Sequence, residues 1–304
     1  MVWNKKPQNP IMQRKSQVLL SLILVLVLGV SGASSWIYLS GNDEDSEQLV
    51  AKTEQNDQAI VAEEQSPPEV SVEEEVAAVK VVDTQKLQAA IDNWVSAAGQ
   101  SSVVIADESG EVLASKNPEQ KYFAASLYKL YVAYVGYQQV DAGVVDASEV
   151  YLNGQTRAEC LDLMIRESDS PCAEKLWVEL GKQNITDQLV SIGIVNTSMT
   201  ALNTTAADAA SLLGLIAAGE GLSEESQKNY LASMKDQIFR DALNVGFSSD
   251  ITVYNKIGFN EQVEYHDTAI IETPEGTRYI VSVLTERVGT SKIAELGRAL
   301  EPIL

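Results

Sequence analysis

The chain has 304 residues, 45% of them hydrophobic, and a formal net charge of −21. That is length and apolar content enough for one large globular domain with appendages, and the acidic balance argues against nucleic acid as a partner. Two cysteines and a single histidine exclude a zinc site and any two-histidine mechanism, so no metal and no cofactor is expected.

Charge is unevenly spread. Met1 to Ser40 holds Lys5, Lys6, Arg14 and Lys15 and no acid, whereas Gly41 to Glu75 holds twelve acids against Lys52 alone. The uncharged run Gln17 to Leu39, QVLLSLILVLVLGVSGASSWIYL, is long enough as a helix, at about 1.5 Å per residue, to cross a hydrocarbon core of about 30 Å. The basic residues before it predict a cytoplasmic segment over 1–16 and a transmembrane signal anchor over 17–39, with Trp36 and Tyr38 at the outer interface. The small residues Val30 to Ser34 leave a cleaved secretory signal as the alternative, and either reading exports the rest of the chain. No cysteine follows the run closely, which argues against a lipid anchor. Residues 40–83 are rich in Glu, Gln, Ser, Val and Pro; too little apolar surface to offset ordering entropy predicts an acidic, disordered stalk.

Residues 84–304 read as the folded domain. Thr84 is the expected cap of a first helix carrying Leu87, Ile91, Trp94 and Val95 at helical spacing. SVVIADESGEVLAS predicts two strands around a turn at Asp107-Glu108-Ser109-Gly110. From Ser126 to about Tyr230 the pattern is helical, with breaks at Gly, Pro and Asn, and Tyr128, Tyr131 and Tyr134 mark a packed helix face. Strands return with ITVYNKIG, HDTAIIET and RYIVSVLTE, and an amphipathic helix closes the chain from about Ser291 to Leu300. The order predicts an α+β fold: one antiparallel sheet of about five strands flanked by the terminal helices, with an all-helical second lobe and a cleft where the two meet.

The stretch FAASLYKL sets Ser126 three residues before Lys129 at an expected helix start, so the two share a helix face. Serine is a weak nucleophile that needs a nearby base, and a lysine serves only when desolvation or neighbouring cations lower its pKa. Ser168-Asp169-Ser170 follows in a loop between helical stretches, and Lys256-Ile257-Gly258 lies near the end of the first returning strand.

The ordered set Ser-x-x-Lys, Ser-Asp-x, Lys-x-Gly resembles the class A β-lactamases and the related penicillin-binding transpeptidases, over about Thr84 to Leu304. TTAADAASLLGLI and the last three strand-like runs resemble the same family. The resemblance implies Ser126 as acylated nucleophile, Lys129 as proton acceptor, Ser168 as relay to the leaving nitrogen and Lys256 as positive charge near relay and substrate. It implies an oxyanion hole from the backbone N–H groups of Ser126 and Phe259, with Ser170, Gly258 and Asn203 at the substrate site. Asp169 is expected to hold its loop.

Three departures separate this chain from the pattern. Ser170 replaces the usual Asn, and Ile257 replaces a hydroxyl residue. Met199 stands in MTALN where the family carries the glutamate that activates the deacylating water, so release of the acyl group is expected to be slow unless Glu167, Glu261 or Glu264 substitutes. The expected activity is a membrane-anchored serine hydrolase, monomeric, acting on β-lactams or peptidoglycan-derived amides. Alternatives are a slow-deacylating, carboxypeptidase-like penicillin-binding protein and a catalytically silent wall-binding module. Cys160 and Cys172 flank the Ser168 loop outside the cytoplasm and are read as a bridge, with two buried thiols as the alternative. His266 is read as structural, Asp267 as a hydrogen-bond acceptor at a strand start, and Arg240-Asp241 as a surface ion pair.

Overall fold

The computed structural model describes residues 82–260 and 263–304. The expected cytoplasmic segment, anchor and nearly all of the stalk lie outside the described residues, as does Glu261. Among the described residues no helix is long and apolar enough to cross a membrane.

The domain opens with α1 (Thr84–Ala98), whose Leu87, Ile91 and Trp94 are buried. Its cap is Asp83, one residue earlier than expected: the carboxylate accepts the Lys86 N–H, and Thr84 is the first helical residue. Strands β1 (Ser101–Asp107) and β2 (Val112–Lys116) form the expected hairpin, its turn held by Asp107 Oδ1 accepting the N–H groups of Ser109 and Glu111. The short β3 (Tyr122–Phe123) leads through a 3-10 turn, Ala125–Leu127, into α2 (Tyr128–Asp141). Then come β4 (Val150–Leu152), β5 (Gln155–Thr156), α3 (Arg157–Arg166), α4 (Ser170–Leu180) and α5 (Lys182–Ser191). The helical lobe ends with β6 (Asn203–Thr204), α6 (Ala206–Ala218) and α7 (Glu224–Lys235). Strands β7 (Thr252–Phe259), β8 (Glu264–Glu272) and β9 (Arg278–Glu286) return, and α8 (Thr290–Leu300) closes the chain.

The sheet is five-stranded and antiparallel, in the order β2-β1-β9-β8-β7, which matches the expected α+β architecture. Because side chains alternate across a strand, each strand feeds two cores. Val103, Ile105, Val281 and Val283 pack on one face with Leu87, Ile91, Ile293 and Leu296 of the terminal helices. Val104, Ile270, Ile280 and Leu284 pack on the other face with the helical lobe. Each fully buried aliphatic side chain contributes on the order of 1.5–3 kcal/mol, so both faces must be covered for the sheet to stand. Trp94 Nε1 donates to the Lys292 carbonyl at 2.7 Å and ties the first helix to the last.

Helix α2 is buried on every side from Tyr128 to Tyr137, which makes it the axis of the helical lobe rather than a one-faced packing helix. Two of its four tyrosines have hydroxyl partners: Tyr131 pairs with Thr204 at 2.6 Å, and Tyr134 donates to the Glu220 carbonyl. A burial this complete fixes the start of α2 in space, and that start carries Ser126.

Candidate active site

The passage from β3 into α2 is tied down one residue at a time. β3 pairs with β6, Phe123 opposite Asn203. The Phe123 carbonyl accepts from His266 Nε2 at 2.8 Å, and Ala124 N–H donates to the Leu202 carbonyl at 2.8 Å. Ala125 then takes a φ of 43°, and Ser126 follows, half-buried, in the 3-10 turn. Three of the six non-glycine residues with positive φ among the described residues, Ala125, Ser168 and Leu202, belong to this region. Backbone in that conformation persists only where its surroundings over-determine it.

His266 is part of that restraint. The Thr285 N–H donates to its Nδ1 at 3.1 Å, so the proton sits on Nε2 and faces Phe123. Burial pushes its pKa down to about 4, which keeps the ring neutral. Its structural role therefore reaches the chain three residues ahead of Ser126.

Lys129 and Lys256 are both fully buried, and their amines meet on one hydroxyl. Lys129 Nζ lies 3.1 Å from Ser168 Oγ and Lys256 Nζ lies 3.0 Å from it. Lys129 also donates to the Ser168 carbonyl and to Ser170 Oγ at 3.1 Å, and Lys256 to the Ile257 carbonyl at 3.0 Å. Among the described residues no hydrogen bond joins Ser126 to Lys129; the amine is turned toward the Ser168 loop. Burial lowers the Lys129 pKa to about 8, against the opposing charges of Asp169 and Glu174. Burial, helped by the charge of Lys129, holds Lys256 well below the usual lysine range. Two ammonium groups on one oxygen repel each other, so the arrangement favours a neutral amine at physiological pH. A neutral amine can take the Ser168 proton while the second lysine donates to the same oxygen.

Asp169 caps α4 by accepting the Cys172 N–H at 2.7 Å, which places Ser170 at the first position of that helix rather than in the loop. Cys160 on α3 and Cys172 on α4 form a disulfide, with Cα atoms 5.1 Å apart, and it clamps both sides of the Ser168 turn. Ser168 itself has a φ of 58°.

The fourth side of the site is the free edge of β7. Asn260 N–H donates to the Glu264 carbonyl, while the Val253 and Asn255 carbonyls accept from Arg240 and Gln237 on the opposite edge. Alternation along the strand then turns the backbone of Ile257 and Phe259 to that free edge as well. Gly258 lies against the Ser126 turn: a Cβ there would come within 3.0 Å of Leu127 N and 3.2 Å of the Ala124 carbonyl. Any larger residue would have to displace that turn or the strand. Ile257 points into the core beneath the terminal helices, where its side chain is buried. Phe259 is exposed and sits within an aromatic group with Phe239 and Tyr265.

Met199 begins a turn closed by the paired backbone bonds of Ser198 and Asn203. That turn leans on Ala124 through Leu202, but the Met199 side chain is fully buried in the helical lobe. Asn203 Oδ1 is buried without a hydrogen-bond partner. Of the expected substitutes, Glu167 is paired with Arg166 at 2.6 Å, and Glu264 belongs to β8, one strand in from the edge. Glu174 went unnoticed in the sequence; the signal for it is its spacing, four residues after Ser170 on α4.

Other features settle elsewhere. Arg240 donates to the carbonyls of Lys235 and Val253 and makes no ion pair with Asp241, a correction to the surface pair expected from sequence. Asp267 accepts from Asn255 Nδ2 and the Leu243 N–H, so it is the hydrogen-bond acceptor expected; burial pushes its pKa up to about 6. A cavity of about 300 Å³ lies beside Arg157 and Glu179, which are already paired with each other. Among the described residues no group of His, Cys, Asp and Glu could hold a metal ion.

The profile of the beta-lactamase enzyme family matches residues 85–301. No curated protein matches the chain. An ancestral class A β-lactamase is similar in structure at 21% identity, covering 70% of this chain and 98% of its own, with a TM-score of 0.66. A β-lactamase from Xanthomonas campestris pv. campestris is similar at 22% identity, with 73% and 99% covered and a TM-score of 0.65. A variant of PBP-A, solved as its acyl-enzyme with penicillin G, is similar at 21% identity, with 72% and 96% covered and a TM-score of 0.63. Identities this low speak for the fold alone, while the profile match spans most of the chain. With its five-stranded sheet, helical lobe and ordered Ser126, Ser168 and Lys256 motifs, this chain belongs to the beta-lactamase enzyme family and has the class A β-lactamase-like serine-enzyme fold.

Proposed function

We propose that the protein is a membrane-anchored, extracytoplasmic serine hydrolase that forms an acyl-enzyme at Ser126 with β-lactams or peptidoglycan-derived amides. The observation that carries this reading is the Ser168 hydroxyl lying 3.1 Å and 3.0 Å from two buried lysine amines, one of them three residues beyond Ser126. A neutral Lys129 accepts the Ser126 proton as Oγ attacks the carbonyl carbon. The developing oxyanion is held by the N–H groups of Ser126 and Phe259; side-chain donors of this kind are worth about 3–4 kcal/mol each. As the carbon–nitrogen bond breaks, the proton passes by way of Ser168 to the leaving nitrogen, while Lys256 Nζ donates to the Ser168 hydroxyl. Ser170, Gly258 and Asn203 line the substrate side.

The acyl-enzyme that a PBP-A variant forms with penicillin G supports the substrate class. The second reading, a slow-deacylating penicillin-binding protein, is favoured by one observation: Met199 is buried and has no proton-accepting group. The export of the domain rests on the basic segment before residues 17–39; protease added to intact cells should then digest it, and full protection would sink that part.

The experiment is to mix the full-length protein, in mild detergent, with penicillin G and follow intact mass over time beside Ser126→Ala. The expected result is an adduct of the whole antibiotic on the wild type only. No adduct on the wild type, or an equal adduct on the variant, overturns the reading.

A further inference from the structure

One exposed carboxylate stands one turn beyond Ser170 on α4 without a partner among the described residues. Ser170, Glu174 and Trp177 stand at positions i, i+4 and i+7 of α4 and so form one stripe. Both ends of the stripe touch the start of α2: Ser170 Oγ lies 3.1 Å from Lys129 Nζ, and the Trp177 ring lies 5.1 Å from that of Tyr128. Glu174 sits between them along α4 and is exposed. It makes no ion pair or side-chain hydrogen bond among the described residues. Its negative charge reaches both neighbours, opposing the fall in the Lys129 pKa and adding to the rise at Tyr128.

Glu261 lies outside the described residues, and Glu264, whose buried Oε2 has no partner, starts β8 rather than standing on α4; the remaining carboxylates and the histidine near the site are committed. Asp169 caps α4, Glu167 pairs with Arg166, and both ring nitrogens of His266 are engaged. Met199 cannot accept a proton. We infer that Glu174, on α4 of the helical lobe, is the general base that activates the deacylating water, an inference that rests on the acyl-enzyme reading of Ser126. In that step the Glu174 carboxylate takes one proton from water as the water oxygen bonds to the acyl carbon. The tetrahedral adduct collapses, the bond from that carbon to Ser126 Oγ breaks, and the proton passes back to Oγ. The acyl group leaves as a carboxylic acid and the free serine is restored, so atoms balance with no further reactant. An exposed carboxylate suits this task because solvent reaches it while the substrate covers Ser126.

The test compares full-length wild type, Glu174→Gln and Glu174→Asp after acylation by penicillin G, following loss of the Ser126 adduct by intact mass. A positioned general base contributes about 10²–10⁴-fold, so the adduct on Glu174→Gln should clear at least about 100-fold more slowly. Glu174→Asp, which keeps the carboxylate one methylene further back, should clear at an intermediate rate. Formation of the adduct on each variant reports that its fold and acylating groups are intact. Equal clearing by wild type and Glu174→Gln overturns this assignment alone, as does a wild-type adduct that never clears. Absence of any Ser126-dependent adduct on the wild type overturns the acyl-enzyme reading, and this assignment with it.

Discussion

The two walls of the cleft are built differently. On the side of α4 and β7, two buried lysines share the Ser168 hydroxyl, and one disulfide clamps the turn that presents it. On the side of the Met199 to Asn203 turn, backbone bonds and a buried thioether do the holding. The first wall carries Ser168 and meets both lysine amines, the groups proposed to move protons in acylation, whereas the second supplies shape and restraint and no titratable group. Acyl-enzyme formation and acyl-enzyme release are separable tasks, and under the proposed function both draw on the α4 side, the first through Lys129 and Ser168 and the second through Glu174. A chain can therefore keep the first while its means of doing the second moves or is lost.

Substitutions can break or sharpen that contrast. The largest effect is expected from Lys129→Ala, which removes the proposed base and one partner of Ser168: acylation by penicillin G, followed by stopped-flow or intact mass, should fall by about 10²–10⁴-fold. A fall of less than tenfold would move the base elsewhere. Replacing both Cys160 and Cys172 by serine should cost about 3 kcal/mol of stability, by the loop-closure argument for a short loop, and lower the melting temperature by roughly 6–12 °C. An unchanged melting curve would mean that the clamp is redundant.

A smaller effect comes from pH. As the proposed base Lys129 can act only when neutral, and burial lowers its pKa to about 8, so it is mostly charged at pH 7 and mostly neutral at pH 9. The acylation rate should rise about tenfold across that range, with its midpoint near the Lys129 value. A rate that is flat from pH 7 to 9 would contradict the assigned base. The smallest effect belongs to the other wall. Met199→Leu conserves volume and should change stability by less than about 1.5 kcal/mol, with the acyl-enzyme clearing at the wild-type rate. A changed clearing rate would show that this side chain takes part in release.

Much of this was legible along the chain because the information is local. The helix of Leu87, Ile91 and Trp94, the hairpin turn at Asp107 and the three returning strands each follow from periodicity within a short window. The motifs around Ser126, Ser168 and Lys256 are also local, and their order pointed to the family. Boundaries were less legible: Asp83 rather than Thr84 caps the first helix, because the carboxylate and not the hydroxyl finds a free N–H. Ser170 proved to start α4 because Asp169 caps it. Arg240 is adjacent to Asp241, yet it reaches two carbonyls instead, since neighbours in sequence need not face each other.

Sequence alone determined the element order and the motifs around Ser126, Ser168 and Lys256, because hydrophobic periodicity and short motifs are written in neighbouring positions. Tertiary structure alone decided what those residues meet. Lys129 turns to Ser168, 39 positions away, and not to Ser126, three away. His266 holds the Phe123 carbonyl from 143 positions away, and Gly258 admits the Ser126 turn because no Cβ stands in its path. Glu174 is distinguished from the many acids of this chain only by the packing of α4 on α2. Contacts between distant segments and the burial that shifts a lysine pKa exist only once the chain has closed on itself, and so no window of sequence contains them.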